Sequence, residues 1–459
     1  MDRIIRTSAR TGLLIVAFLL HASAQDRYLV RAPISQIGNI AARHNLTIIR
    51  SFDGSGKDLH LVAAPPGADV QRTIQGLHAD ESVQGVEPDA SVSLPETFPG
   101  APLRQMGIPD AAPVSDRTLV NYYGTSAWDA YVNQPAAFVI KVAQAHIFAT
   151  GAGTVAFLDT GVDVGNLVIA NSLVAGYDFT RNIAGGSEMA DIDQSTTSIL
   201  DQSTTSILDQ STTSILDQKG TLVLNQSTTS ILDQSTTSIL DRSKLPSAFG
   251  HGTMVAGLIH LVAPAAKLMP VKVFSSNGTS TLSNVVNGIY WAVDHGANVI
   301  SMSFNSTQSS SELKNAINYA NSHGLICVAS VGNDGTQNPS VFPAGYLSQV
   351  IGVASTNNSD IRSTFSNYGN TLVDVAAPGE GDVTLYPGNN YAEGWGTSFS
   401  APLVAGGAAL LVQLGGNHIN VAQATQAILQ AIPTGQGLGA GEVDLFQACL
   451  YELIHGGWR

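Results

Sequence analysis

The stretch Thr154-Val155-Ala156-Phe157-Leu158-Asp159-Thr160-Gly161 constrains this chain more than any other. An unbroken apolar run ending in Asp-Thr-Gly reads as a strand of a parallel sheet buried on both faces. It delivers its carboxylate at the carboxyl end, where open α/β sheets place their ligand sites. Alone, such an Asp is more often a turn former or a helix cap. A second pattern is His251-Gly252-Thr253-Met254-Val255-Ala256-Gly257, where Gly250 and Gly252 bracket an imidazole. Val255, Leu258, Ile259 and Val262 then recur at helical spacing. A lone His at a helix start is usually a polar cap. The third is Gly396-Thr397-Ser398-Phe399-Ser400-Ala401-Pro402-Leu403-Val404-Ala405-Gly406, a Ser heading a helix of small residues. Pro402 donates no N–H, so it is expected in the first turn, which puts the helix start beside Ser398. A helix N-terminus there offers free N–H groups and a positive dipole end to an oxyanion. The fourth is Leu325 to Ser330, a strand running into Val331-Gly332-Asn333-Asp334-Gly335. An Asn in a Gly-rich turn can aim its amide N–H at developing negative charge.

The chain order Asp, His, Ser matches the subtilisin arrangement, not those of chymotrypsin or the α/β-hydrolases. Through AFLDTGVD, GHGTMVAG, VASVGNDG and GTSFSAPLVAG the chain resembles the subtilisin-like serine proteases, the subtilase family. Trp291-Ala292, Gly296 to Ser303, Phe365 to Gly369 and Ala376-Ala377-Pro378-Gly379 add to the match. The resemblance implies an α/β, three-layer fold with a mostly parallel central sheet. It implies a serine endopeptidase acting through an acyl-enzyme: Ser398 the nucleophile, His251 the base, Asp159 its orienting partner, Asn333 in the oxyanion hole. Substrate would lie extended beside Met302, Ser303, Phe304 and Gly332. Three departures stand out. Met254 and Leu403 occupy places where many subtilases carry His, and Asn305 replaces a Gly near the specificity pocket. No cofactor is implied. After the His helix the chain runs through Leu261-Val262-Ala263-Pro264 without the loop that carries calcium in many subtilisins; calcium elsewhere stays open, with no site assignable.

The flanks divide readily. Arg3, Arg6 and Arg10 precede a ten-residue apolar run, Thr11 to Leu20, and the small residues Ala22-Ser23-Ala24. This is the pattern of a secretory signal peptide over 1–24. Residues 25–92 alternate strand and helix signals in the order β-α-β-β-α-β, a ferredoxin-like α+β domain. Its last strand is expected over Val83 to Val92. By resemblance this is an inhibitory propeptide that docks its C-terminal strand in the cleft. Residues 93–118 are Pro-rich and read as a linker. The peptidase domain is expected over 119–459. Inside it, Asp193 to Leu240 repeats the octad D-Q-S-T-T-S-I-L six times, the fourth unit degenerate and the fifth beginning with Asn225. Asp159 and His251 are 92 positions apart, and without the 48 repeat residues 44 remain. The repeat therefore reads as a loop insertion. An eight-residue period drifts about 80° per unit on a helix. Thr-Thr-Ser-Ile-Leu favours a strand and Asp-Gln-Ser a turn. A polar loop and stacked β coils both remain open, and either could wall the cleft against bulky substrates.

Composition narrows the partners. The 459 residues carry 21 Lys+Arg against 35 Asp+Glu, a net charge of -14, which disfavours nucleic acid. Hydrophobic residues make up 44%, enough for a large core rather than a disordered chain. Two cysteines, Cys327 and Cys449, cannot form a disulfide scaffold. They read as buried hydrophobes, with a single pairing left open. No later run is long enough to span a bilayer. A secreted monomer acting on peptides or proteins is expected. The alternative is a self-processing protein that serves adhesion or display through its repeats.

Overall fold

The computed structural model describes residues 26–94, 116–192, 229–231, 246–416 and 419–456. The signal segment, most of the linker and all but three residues of the repeat lie outside the described residues.

Near the N-terminus, β1 (Arg27–Arg31), a helix over Ile37–Arg43, β2 (Thr47–Ser51), β3 (Leu59–Ala63), a helix over Val70–His78 and β4 (Gly85–Pro88) follow the expected order. The sheet runs β2-β3-β1-β4 with every neighbouring pair antiparallel. Tyr28, Val30 and Val62 face the two helices through Ile37, Ile40 and Leu77. Leu29, Phe52, Leu59 and Leu61 point the other way and join a core cluster of the larger unit. The central strands β1 and β3 are therefore buried on both faces, while the edge strand β2 stays largely exposed. Glu87 and Asp89 pin the sheet further by capping two helices of that unit. Glu87 accepts from the N–H groups of Ser311 and Glu312, and Asp89 accepts from that of Ser283 at 2.8 Å. The expected strand over Val83 to Val92 is in fact two. Asp89 is held by Arg27 and Ser283, the chain turns at Ala90, and β5 (Ser91–Ser93) leaves the sheet.

After the hairpin β6 (Leu119–Tyr122) and β7 (Thr125–Trp128) the main sheet begins. Its strands are β8 (Thr154–Asp159), β9 (Tyr177–Asp178), β10 (Ile183–Ala184), β12 (Lys267–Lys272), β14 (Val299–Met302), β15 (Ile326–Ser330), β16 (Ile351–Thr356) and β17 (Val375–Pro378). Their spatial order is β10-β9-β12-β8-β14-β15-β16-β17, parallel throughout except for the β9/β10 hairpin. Period-two alternation splits each strand between two helical layers. Val155 and Phe157 join the layer of the His helix (His251–Val262) and the Ser helix (Thr397–Gly415). Ala156 and Leu158 join the layer of the Leu282–Asp294 and Ser311–Ser322 helices. This is the expected three-layer α/β architecture. Cys327 lies in one layer and Cys449 in the other, both free thiols. Among the described residues the Ser helix alone is long and apolar enough to cross a membrane, and it is a buried core helix.

Two smaller elements border the Ser helix and the cleft. β13 (Thr279–Thr281) pairs antiparallel with β5. The hairpin β18 (Glu380–Tyr386) and β19 (Asn390–Trp395) runs into Gly396. The described part of the repeat, β11 (Thr229–Ile231), pairs antiparallel with Ala392 to Gly394 of β19.

Candidate active site

β8 ends with Asp159 at the carboxyl edge of the sheet, 1% exposed. Its Oδ1 accepts from His251 Nδ1 at 2.7 Å and from the Thr160 N–H at 2.7 Å. The His helix reaches this turn because Gly252 has no side chain. A Cβ there would stand 1.9 Å from the Gly161 carbonyl oxygen. The Gly252 N–H donates to Thr160 Oγ1 at 2.9 Å. Asp turn and His helix are thus locked by backbone as well as by the carboxylate–imidazole bond. The His251 ring packs 5.5 Å from Phe399, the residue after Ser398.

Ser398 is the second residue of its helix, so its N–H has no carbonyl one turn back to bond. Its Oγ donates to the Ser303 carbonyl oxygen at 3.3 Å, and Ser303 Oγ donates to the Ser398 carbonyl oxygen at 2.9 Å. The second bond corrects the expectation for Pro402. The helix begins at Thr397, which puts Pro402 in the second turn, inside the helix. A residue there would normally donate to the Ser398 carbonyl. Ser303 replaces the N–H that proline lacks, so the cost of an internal proline is partly offset.

Asn333 follows β15. Its Oδ1 accepts from both the N–H and the Oγ1 of Thr397, each at 2.9 Å. With that oxygen committed to the helix start, the carboxamide presents its NH2 group as donor. Gly332 has φ near 93°, and a Cβ there would meet Asn305 Nδ2 at 2.5 Å and Asn367 Nδ2 at 2.7 Å. Only glycine suits that turn.

Met302, Ser303 and Phe304 are buried. Ser93 forms an antiparallel bridge with Asn305, and the Leu94 N–H donates to the Gly278 carbonyl at 3.0 Å. Residues 91–94 thus lie extended between β13 and the 303–305 segment, with Val92 and Leu94 buried beside Phe304. The structure adds Thr279–Thr281 as the strand on the other side of residues 91–93. The Asn277-Gly278 turn followed by a β-prone Thr-Ser-Thr run was the available signal. It also adds Glu188, a buried carboxylate beside the Asp159 turn. Its oxygens accept from the Gly250 N–H at 3.0 Å and from the hydroxyls of Thr160 and Thr253. Burial pushes its pKa up to about 7. Among the described residues, no three His, Cys, Asp or Glu side chains are grouped to hold a metal ion.

Comparison with known families matches the subtilase family over residues 151–445. This chain belongs to the subtilase family. Thermitase from Thermoactinomyces vulgaris is 40% identical over 213 residues, which is 44% of this chain and 75% of thermitase. A thermophilic serine proteinase from Bacillus sp. (strain AK1) is 38% identical over 212 residues, 44% of this chain and 52% of that protein. The crystal structure of fervidolysin from Fervidobacterium pennivorans, described as a keratinolytic enzyme related to subtilisin, shares the fold. Its TM-score is 0.66 at 21% identity, over 93% of this chain and 61% of that one. The subtilase is accordingly a subtilisin-like serine endopeptidase by class. Its two departures on the helices are packing positions: Met254 and Leu403 are buried in the core cluster of that helical layer. Asn305 is 5% exposed, with its amide against Gly332.

Proposed function

We propose that this subtilase hydrolyses peptide bonds with Ser398, His251 and Asp159. It is exported by way of residues 1–24 and held as a zymogen by residues 25–92. The observation that carries the reading is the 2.7 Å Asp159–His251 bond at the sheet edge, set beside a serine at a helix N-terminus. With Nδ1 bonded to Asp159, His251 Nε2 is the nitrogen that takes the Ser398 proton as Oγ attacks the scissile carbonyl. Asp159 holds the tautomer and stabilises the imidazolium. The Asn333 NH2 group and the Ser398 N–H receive the developing oxyanion. The tetrahedral species collapses as His251 protonates the leaving amine, leaving an acyl-Ser398. Water, deprotonated by His251, then releases the acid and restores the serine.

Substrate in this reading takes the path that residues 91–94 follow, as an added strand between Thr279–Thr281 and Ser303-Phe304. The same path explains inhibition: the N-terminal unit lays its own strand in the cleft and clamps it with Glu87 and Asp89. The side chain of Asn305 narrows the specificity pocket beside Gly332. The repeat, rooted between Asp159 and His251 and paired with β19 through Thr229–Ile231, limits access for bulky substrates. The adhesion or display alternative has no observation in its favour here.

The test is the full chain against its Ser398→Ala variant. The wild type is expected to lose its N-terminal unit and to turn over a tetrapeptide p-nitroanilide. The variant is expected to keep that unit and be inactive. A variant that processes itself and cleaves the peptide sinks the assignment.

A further inference from the structure

We propose that Glu188 is a positioning residue for the His251 imidazole: it ties the Asp159 turn to the first turn of the His helix. The inference rests on the triad reading above and extends it to a residue outside the triad.

Glu188 has no exposed surface. It stands just before the repeat, and His251 just after it, so 62 residues of chain separate two groups that the fold brings together. Its Oε2 accepts from the Gly250 N–H at 3.0 Å and from Thr160 Oγ1 at 3.3 Å, while Oε1 accepts from Thr253 Oγ1. Thr160 Oγ1 in turn accepts from the Gly252 N–H at 2.9 Å, and Thr253 Oγ1 from the Asp163 N–H at 2.7 Å. Three of the residues around His251, namely Gly250, Gly252 and Thr253, are therefore bound by Glu188 or by the threonine it holds. The backbone of this segment is tied to the same turn. The Glu188 N–H donates to the Val162 carbonyl at 3.2 Å, and the Val162 N–H to the Gly186 carbonyl at 2.8 Å. A buried carboxylate is costly unless its oxygens are bonded. Here both are, and each bond goes to the two elements that must keep Asp159 and His251 at 2.7 Å.

The charges around it are mixed. Lys272 faces it from β12, with Nζ donating to the Thr160 and Phe274 carbonyls and to Asp191. Arg181 lies beyond, on Asp178 and Asp191. Asp163 and Asp159 face it from the loop and the strand end, and His251 from the helix. Burial raises the carboxyl, Lys272 opposes, and the two aspartates add to the rise. The group thus titrates in the range where a histidine base must shed its proton. A buried anion bonded to the first turn of the His helix favours positive charge on that turn, and the pH profile reads its loss.

The experiment uses the matured full-length enzyme and a tetrapeptide p-nitroanilide, with kcat and KM measured from about pH 5 to 10. Glu188→Gln is expected to lower kcat by about tenfold to a hundredfold with KM little changed. It is also expected to move the acid limb of kcat/KM to lower pH by about half a unit or more. Glu188→Asp, which returns the charge on a shorter arm, is expected to bring the limb back while kcat stays low. A Glu188→Gln enzyme with an unmoved limb overturns the proposal, as does one with kcat within about twofold of wild type. Where Glu188→Gln does not mature, Thr253→Val removes one anchoring hydroxyl. A selective fall in kcat is then expected, and an unchanged kcat overturns the proposal. Ser398→Ala is run alongside: wild-type turnover that survives it refutes the triad reading itself, and Glu188 is then judged separately.

Discussion

Asp159, His251, Asn333 and Ser398, the residues proposed to act, stand out in the sequence because each has a glycine signature beside it. Gly161 and Gly252 let the Asp turn and the His helix touch, Gly332 makes the turn before Asn333, and Gly396 precedes the Ser helix. Those backbone demands leave visible marks at fixed offsets. Glu188 leaves none, since its partners lie on both sides of the repeat, at Thr160 and at Gly250 and Thr253, and its type is unremarkable in a polar loop. Asn333 gives the plainest residue-level prediction. In the proposed mechanism Asn333→Ala removes one oxyanion donor, and it leaves Thr397 without its acceptor. A fall in kcat of about 10²–10³ is expected, a figure carried over from subtilisin itself, with KM changed much less. Steady-state kinetics on the p-nitroanilide decide it, and a loss carried by KM alone would speak against the assigned role.

Helix boundaries were less legible than helix existence. The sequence suggests that a proline marks the first turn, but Pro402 sits one turn deeper because a distant side chain, Ser303 Oγ, satisfies the carbonyl it orphans. No local pattern encodes a partner 95 positions away. Ser303→Ala should leave the buried Ser398 carbonyl without that donor and cost about 1–3 kcal/mol of stability. Combining it with Pro402→Ala, which restores an N–H to the helix, should recover much of the loss. Chemical denaturation on a Ser398→Ala background measures both without autolysis. Equal stability of the single and double variants would contradict the account. The last strand of the N-terminal unit failed for a related reason. Its break follows from Asp89 binding Arg27 of its own unit and Ser283 of the larger one, contacts distant in sequence rather than a local preference.

At the scale of the whole molecule, apolar patterning marked the small sheet but not its docking. Leu29, Leu59 and Leu61 look like the second face of an ordinary antiparallel sheet, and only the assembled chain shows them buried against the larger unit. Buried titratable groups also set the pH response of the whole fold. Asp382 and Glu442 are buried, and desolvation pushes both up to about 8. Their folded pKa lies above the unfolded value. The stability they contribute is therefore full below about pH 4 and is lost as pH rises through about 8. His260 works the other way. Burial lowers it to about 4, so its contribution is full above about pH 6.5 and is lost as pH falls through about 4. Asp382→Asn with Glu442→Gln should flatten the decline of stability between pH 5 and 9, by roughly 1 kcal/mol or more. Denaturation curves at the two pH values test this, and an unaltered slope would contradict it.

The central claim is that this subtilase uses Ser398 as its nucleophile. Peptide mapping by mass spectrometry, after treatment of the matured enzyme with a serine-directed phosphonate, tests it most directly. One adduct is expected, on the peptide containing Gly396-Thr397-Ser398, and it should be absent when His251 is replaced by Ala. An adduct on a different serine, or none in an enzyme that still cleaves peptides, would contradict it.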